Sequence, residues 1–289
     1  MRWLVTGATG MLGRDLQDVL AEREVTAAGH ADLDVTDAGA VAAAVPGHDV
    51  VVNAAAWTAV DDTETHEPDA FAVNALGTAN LSSACAAAGA LFVHMSTDYV
   101  FDGHADLPYP EDALPAPASA YGRTKAAGEW AARGLHPAGS YVVRTAWLYG
   151  EHGNSFVRTV LRLAAAQDRL RMVDDQTGQP TWSRDVAARI VAMIDAGAPP
   201  GTYHATSAGR TTWYGLARRV LELIGEDPDR VSPTTTAEFP RPAPRPAWSV
   251  LGHDAWARAG LGPMRAWEDA LAEALPLVVA AQAREASSA

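Results

Sequence analysis

Short apolar runs alternate with helical patterns along the first half of the chain. The apolar runs of strand length are RWLVTG (2–7), VTAAG (25–29), DVVVNAAA (49–56), LFVHMSTDYVF (91–101) and SYVVRTAWLYG (140–150). Helical periodicity fills the gaps, over residues 14–24, 38–45, 67–89 and 120–134. Continuous apolar strands separated by helices are typical of a parallel sheet covered on both faces, so the pattern predicts a doubly wound α/β fold.

The regular alternation weakens after about Gly150. Helices are predicted over residues 154–167, with Asn154 or Ser155 as N-cap, and over 183–197, 211–225 and 264–278, and a strand and loop over 170–181. The stretch 232–252 has five prolines and cannot be regular throughout, so we expect a loop that lines a cleft. The pattern predicts a sheet domain over 1–150, with a returning segment around 183–205, and a smaller second domain over 151–289.

Composition narrows the class of partner. Lys and Arg number 22 against 35 Asp and Glu, a formal charge of −13, which argues against nucleic acid as a ligand. A single cysteine excludes an intramolecular disulfide. No apolar run reaches the roughly 18 residues of a membrane span, and the first strand begins without a basic leader, so no membrane partner and a cytoplasmic location are expected.

Three glycines follow the first strand and open the first helix. Gly7 permits a sharp turn, Gly10 a close approach to a diphosphate, and Gly13 close packing of the helix on the sheet. The free N–H groups of the helix start, around Thr9, Met11 and Leu12, would then face phosphates. The alternative is a tight turn without a ligand. The spacing resembles the extended members of the short-chain dehydrogenase/reductase superfamily, which implies a Rossmann-like fold and a nicotinamide cofactor.

The end of the second strand carries no residue that selects between NAD and NADP. His30 occupies that place, and no acid or Arg stands beside it. Asp34 and Val35 resemble the superfamily's Asp–apolar pair beside the adenine, although Asp34 could instead cap a loop or helix. We therefore expect NADPH or NADH as cofactor.

Tyr121 and Lys125 lie four residues apart in YGRTK, so both project from one face of the predicted helix. Ser96 and Thr97 end the fourth strand, at the sheet edge where ligands bind in such folds. Together they resemble the superfamily's Ser/Thr–Tyr–Lys set. Reduction of a carbonyl needs a proton donor; Lys125 would lower the pKa of the Tyr121 phenol and hold the cofactor ribose, while Thr97 would position the carbonyl oxygen.

The segment after the third strand completes the expected cofactor site. Its small residues would let the cofactor lie against the backbone, and Asn74 resembles an Asn that braces the central sheet in the superfamily, although a helix-surface role is also open. The residues concerned are Ala54, Ala55, Ala56, Thr58 and Asn74.

Several longer segments resemble the dTDP-4-dehydrorhamnose reductase family over roughly residues 3–275. They include NAAAWTAVDDTE, STDYVFDG, YGRTKAAGE, RTAWLYG, VDDQTGQPTW and FPRPAPRPAWSVL. The resemblance implies reduction of the 4-keto group of a dTDP-linked 6-deoxyhexose, most simply dTDP-4-dehydrorhamnose to dTDP-rhamnose, with residues 151–289 mainly binding the nucleotide sugar. It also implies substrate contacts from Ser96, Asp98, Val100, Trp147, Asn154, Phe156, Gln176, Arg245 and Ser249, with Arg245 approaching the diphosphate or nucleoside.

Other functions stay open on the same scaffold. A related 4-ketoreductase of a natural-product pathway is one, because Trp57 replaces the family's usual Tyr or His and could reshape the sugar pocket. A nucleotide-sugar epimerase or dehydratase with retained NAD and a non-catalytic regulatory homologue are the others. Asp174 and Asp175 could form a metal pair, but no third ligand has metal-like spacing, so a solvated loop or a cap is the expected role and no metal is expected. The oligomeric state is open, with a homodimer as one option.

Overall fold

The computed structural model describes residues 1–288. Its strands are β1 (Arg2–Thr6), β2 (Glu24–Ala28), β3 (Val50–Asn53), β4 (Leu91–Thr97), β5 (Ser140–Thr145), β6 (Leu148–Tyr149), β7 (Leu170–Val173), β8 (Thr177–Gly178), β9 (Thr181–Trp182), β10 (Gly201–His204), β11 (Thr211–Thr212) and β12 (Val231–Thr234). Six of them form one parallel sheet in the order β10-β5-β4-β3-β1-β2. The doubly wound α/β fold is confirmed.

The α-helices cover the sheet and build a second layer beside it. They are α1 (Met11–Val19), α2 (Ala38–Ala44), α3 (Val60–Thr63), α4 (Glu67–Phe71), α5 (Gly77–Ala88), α6 (Ala120–Leu135), α7 (Phe156–Ala166), α8 (Ser183–Asp195), α9 (Trp213–Leu223), α10 (Asp254–Arg258) and α11 (Trp267–Ser288). None of these helices, within residues 1–288, is long and apolar enough to cross a membrane.

Side chains alternate across β1 and so define a core on each face of the sheet. Trp3 and Val5 pack with α1 and α8 on one face, and Leu4 packs with α2 and α5 on the other. A separate core joins α7, α9 and α11 with β7 and β12. The chain therefore leaves the first sheet after β5 and returns to it with α8 and β10.

Three predicted elements differ from those observed. The first helix starts earlier and ends at Val19, because the chain turns at Leu20–Arg23 to enter β2. The long helix predicted over 67–89 contains a wider π-helical turn at Ala72–Leu76. The strand predicted over 140–150 breaks at Trp147, whose φ of 47° lies in the left-handed region, and β6 then pairs with β9 outside the main sheet.

Candidate active site

The turn between β1 and α1 can accept only glycine at two of its three glycine positions. Gly7 has φ +67°, and a Cβ there would lie 2.5 Å from the Ala55 nitrogen. A Cβ on Gly13 would lie 2.3 Å from the Gly7 carbonyl oxygen, so this glycine lets α1 pack against the turn. Gly10 is the N-cap of α1 and supplies no side-chain cap, which leaves the first-turn N–H groups available to a phosphate. These features fit the predicted dinucleotide cradle.

The region beyond β2 lies next to this cradle. A Cβ on Gly29 would approach the Thr9 side chain at 2.9 Å, and His30 is exposed beyond it. The Asp34 carboxylate accepts hydrogen bonds from the Thr36 nitrogen and hydroxyl, at 2.9 and 2.8 Å, so it caps its own loop. Val35 is buried in the core, so its side chain packs the fold and only its backbone is left for the predicted cofactor contact.

Asn74 braces the loop that follows β3. Its Oδ1 accepts from the Trp57 nitrogen at 2.9 Å, and its Nδ2 donates to the Trp57 carbonyl and to the Thr124 hydroxyl, at 3.1 and 3.0 Å. Because the side-chain amide is buried and bonded on both sides, the predicted cofactor contact by this side chain is corrected to a bracing role. The bond to Thr124 ties the half-buried Ala54–Ala56 segment to α6.

Tyr121 and Lys125 lie one turn apart on α6, which packs against β4. Ser119 caps this helix by accepting from the Gly122 nitrogen, and a Cβ on Gly122 would lie 2.2 Å from the Tyr99 carbonyl oxygen, so α6 packs tightly there. The Lys125 Nζ donates to the Met95 carbonyl at 2.7 Å. The Thr97 side chain lies close enough to Tyr121 to affect the pKa of its phenol, and all three predicted catalytic residues are buried at this end of β4.

Burial controls the protonation of this group. It raises the pKa of Tyr121, with a further contribution from the nearby Asp98, and the Thr97 side chain opposes the rise only in part. The expected net fall of this pKa toward neutrality is therefore wrong, because burial outweighs the effect expected of the Lys125 ammonium. Burial also lowers the pKa of Lys125 to about 8, against the effect of Glu129. The phenol thus stays protonated at neutral pH, which is the form of a proton donor.

Ser96 faces away from this group, although it precedes Thr97 directly. Its hydroxyl donates to Glu129 Oε1 at 2.6 Å, and the same carboxylate receives two hydrogen bonds of 2.8 Å from Arg144. All three side chains are buried. The predicted substrate contact by Ser96 is corrected: neighbouring residues of a strand point to opposite faces, and this one anchors β4 to α6.

Asp98 and Ser249 form a second polar cluster beside the phenol. Asp98 Oδ1 accepts from the Thr97 hydroxyl at 2.9 Å, while Asp98 Oδ2 and the Ser249 hydroxyl oxygen are buried without a hydrogen-bond partner among the described residues. Burial raises the pKa of Asp98 to about 6, and the nearby Ser249 and Thr97 side chains limit the rise. Unpartnered buried polar atoms are costly, so this pair fits contact with a polar ligand.

A cavity of about 430 Å³ lies near the catalytic residues. Tyr99, one of its lining residues, is in contact with Tyr121. The Tyr99 ring meets that of Tyr121 edge-on, with centroids 5.6 Å apart. The cavity is lined by Asp61, Tyr99, Phe156, Thr159, Leu163, Arg171, Met172, Val173, Gln176, Trp213, Phe239, Arg241 and Arg245. Of the predicted substrate residues, Phe156, Gln176 and Arg245 are in this set.

The predicted substrate contact by the Val100 side chain is corrected, whereas that by Asn154 stays a prediction. Val100 is fully buried in a small core with Phe101 and Leu251, and Asn154 is exposed ahead of α7, where Ser155 is the N-cap. Neither side chain lines the cavity. Trp147 lies behind the wall and stacks on Trp213, with ring centroids 3.4 Å apart.

The pattern of strands and helices did not identify several cavity residues. Trp213 donates from Nε1 to the Gln176 Oε1 at 2.9 Å, and Asp61 forms an ion pair of 2.9 Å with Arg245. Asp61 lies in NAAAWTAVDDTE and Arg241 in FPRPAPRPAWSVL, while Trp213 lies in YHATSAGRTTWYGLA, another segment that resembles the family. Their signal was membership of these distinctive segments, because no local periodicity assigns such residues a role.

Comparison with known proteins agrees with this geometry. The family model described as the RmlD substrate binding domain matches residues 1–279. A dTDP-4-dehydrorhamnose reductase of Streptomyces griseus is 50% identical over 95% of this chain and 93% of its own. A probable dTDP-4,6-dihydroxy-2-methyloxan-3-one 4-ketoreductase of Streptomyces antibioticus is 52% identical over 98% of this chain and 97% of its own.

A solved structure extends the similarity to three dimensions. The dTDP-4-dehydrorhamnose reductase of Bacillus anthracis, in complex with NADP, superposes with a TM-score of 0.91 at 35% identity, over 94% of this chain and 98% of that one. The match of sequence and fold thus runs over nearly the whole length. On these grounds the chain belongs to the dTDP-4-dehydrorhamnose reductase family.

Proposed function

We propose that this protein reduces the 4-keto group of a dTDP-linked 6-deoxyhexose with NADPH or NADH. The glycine turn and the uncapped start of α1 fit the diphosphate of such a cofactor. The cavity beside Tyr99 carries three arginines, which suit the diphosphate of a nucleotide sugar. The assignment of residues 1–150, with 183–205, to the cofactor and of 151–289 mainly to the nucleotide sugar is part of this proposal.

The chemistry divides between the cofactor and the protein. The reduced nicotinamide supplies the hydride that reaches C4. Tyr121 gives its proton to the carbonyl oxygen as negative charge develops there. Thr97 holds that oxygen by a hydrogen bond, and Lys125 orients the cofactor ribose and stabilises the phenolate left on Tyr121.

The observation that carries the proposal is the buried contact between Tyr121 and Thr97, beside the cavity. Burial keeps the phenol protonated before reaction, and the cavity brings a ligand of nucleotide-sugar size to its edge. The buried Asp98 carboxylate lies near the Tyr121 phenol, and the Ser249 hydroxyl lies near that carboxylate. Asp98 Oδ2 and the Ser249 hydroxyl would form hydrogen bonds with the sugar hydroxyls.

The sugar is most simply dTDP-4-dehydrorhamnose, reduced to dTDP-rhamnose. A second candidate is the ketone of another deoxysugar, because the relative from Streptomyces antibioticus, a probable 4-ketoreductase with a different substrate name, is as similar to this chain as the dehydrorhamnose reductase. The two candidates share the reduction at C4 and differ in the sugar, since the substrate named for this relative has no hydroxyl at the carbon next to the anomeric one.

The test is oxidation of NADPH or NADH in the presence of dTDP-4-keto-6-deoxyhexoses of both C5 configurations, with the product determined by NMR. Stoichiometric cofactor oxidation and a rhamnosyl product support the first candidate, and a different epimer supports the second. A bound NAD recycled without net oxidation would replace the reductase by an epimerase or dehydratase. No conversion by the folded protein, with affinity for a partner enzyme, would favour a non-catalytic homologue.

A further inference from the structure

An ion pair links the loop after β3 to the proline-rich stretch. Asp61 Oδ1, on α3, lies 2.9 Å from Arg245 Nη1, and the same oxygen accepts a hydrogen bond of 3.2 Å from the Ala243 nitrogen. Both charged side chains are partly buried: that of Asp61 is 32% exposed and that of Arg245 is 18% exposed. A surface ion pair contributes little to the free energy of unfolding. This pair, however, joins two segments 184 residues apart in sequence, at the wall of the cavity.

The contacts of Arg245 use only one end of its guanidinium. Nη1 donates to the Ala243 carbonyl at 2.9 Å and faces Asp61, whereas Nη2 and Nε have no hydrogen-bond partner among the described residues. A guanidinium offers parallel N–H donors along one edge, and that edge binds a phosphate with two hydrogen bonds. The edge formed by Nη2 and Nε is the one left unused.

The backbone around Arg245 is held as well. Pro244 and Pro246 flank it and fix their own φ angles. A Cβ on Gly103 would lie 2.6 Å from Pro246, so the stretch packs directly on the loop after β4. Arg245 therefore has little freedom beyond its side-chain rotations, and Asp61 limits those.

The negative charge of Asp61 is unfavourable at an anion site unless the carboxylate serves to hold Arg245 in place. It is the single acid among the residues that line the cavity, against Arg171, Arg241 and Arg245. A carboxylate there repels a diphosphate and partly neutralises Arg245. This cost is offset if the carboxylate prevents Arg245 from adopting other rotamers, since a pre-oriented group loses less entropy on binding.

We propose that Asp61 is a positioning residue that holds Nη1 of Arg245 and thereby presents its Nη2–Nε edge to the diphosphate of the nucleotide sugar. The inference rests on the proposed function, because it assumes a diphosphate ligand. It adds a residue of α3 to the recognition of the diphosphate.

The test is calorimetric binding of dTDP and of thymidine to the full chain, with Asp61→Ala and Asp61→Asn. We expect Asp61→Ala to weaken dTDP binding about tenfold and to leave thymidine binding unchanged, as expected for the loss of one charge-assisted contact of about 1.4 kcal/mol. Asp61→Asn keeps an acceptor for Ala243 and should weaken dTDP binding by a smaller factor. Asp62→Ala, a neighbouring exposed acid outside the cavity, is the matched control and should change neither affinity.

A double-mutant cycle separates positioning from a structural effect. In an Arg245→Ala background, Asp61→Ala should produce no further loss of dTDP affinity. Equal loss for dTDP and thymidine, or dTDP binding that is unchanged or tighter in Asp61→Ala, would overturn the inference in favour of a structural or a repulsive role. Failure of the wild-type protein to bind dTDP at all would instead contradict the proposed function.

Discussion

The catalytic group and the cavity wall are built in opposite ways. Thr97, Tyr121 and Lys125 are at most 8% exposed and lie on a regular strand and helix of the main sheet. The wall at Asp61 and Arg245 is partly exposed and is formed by the short helix α3 and the proline-rich segment. Catalysis thus rests on long elements fixed by the core, whereas this part of the recognition surface rests on a four-residue helix and an irregular segment, and such segments vary more among related enzymes. Substitutions in the first region should change kcat, and those in the second should change KM.

The largest effect is expected from Tyr121→Phe. The variant loses the proton donor but keeps the ring that packs against Tyr99, so kcat should fall by about 10²–10⁴ while cofactor affinity stays the same. Steady-state kinetics and fluorescence titration with NADPH measure the two quantities. The matched control is Tyr203→Phe, which removes a phenol on β10 that donates to the Pro199 carbonyl. Undiminished turnover in Tyr121→Phe would eliminate this residue as the donor.

Asp98→Asn tests whether the catalytic region is built at the expense of stability. The folded pKa of Asp98 is about 6, above the ordinary value of about 3.9, so the folded state holds this proton longer and loses stability as pH rises from about 4 to 6. Above pH 6 the cost is complete and amounts to at most about 3 kcal/mol. The variant, which has no such charge, should therefore be more stable than the wild type at pH 7 and equal to it below pH 4.

Urea unfolding at several pH values measures this difference. Asp102→Asn is the contrasting control, because a hydrogen bond from Tyr109 lowers the pKa of the exposed Asp102, and the wild type should be the more stable protein at neutral pH. A loss of stability in Asp98→Asn at pH 7 would mean that the carboxylate is stabilised in the fold and would weaken the contrast between the two regions.

The same contrast decides what the sequence could predict. Tyr121 and Lys125 share a short motif with helical spacing, and Thr97 ends a strand, so local periodicity placed them on their elements and the resemblance to the superfamily's Ser/Thr–Tyr–Lys set joined them. Asp61 and Arg245 meet only through the path of irregular loops, which no periodicity describes. The resemblance to a family supplied Arg245, but neither it nor the pattern supplied its partner.

Side-chain direction and burial were the weaker part of the prediction. Ser96 and Val100 flank the catalytic strand end, but Ser96 turns to Glu129 and Val100 enters a core. The pKa of Tyr121 was expected to fall because a nearby ammonium is visible in the motif, whereas the burial that raises it is not. Such features depend on the three-dimensional packing of segments distant in sequence.

The pH dependence of turnover sharpens the role of the buried amine. The pKa of Lys125 is about 8, so its ammonium is lost above that pH, and kcat/KM should fall by up to about tenfold per pH unit. Tyr121 adds no decline in this range, since its own pKa is raised. In Lys125→Arg the charge persists, so its profile should stay level to a higher pH. A wild-type profile that is flat to pH 10 would show that the charge of Lys125 is not required.

The smallest effect is expected at the cavity wall, from Trp213→Phe. The variant keeps an aromatic ring to stack on Trp147 but leaves Gln176 Oε1 without its donor. A lost hydrogen bond to a buried acceptor costs about 1 kcal/mol, which corresponds to about a fivefold rise in the KM of the nucleotide sugar with kcat unchanged. Trp130→Phe, an exposed position on α6, is the matched control and should alter neither constant. A fall in kcat in Trp213→Phe would break the separation of the two regions, because it would show that the wall also sets the alignment of the ketone with Tyr121.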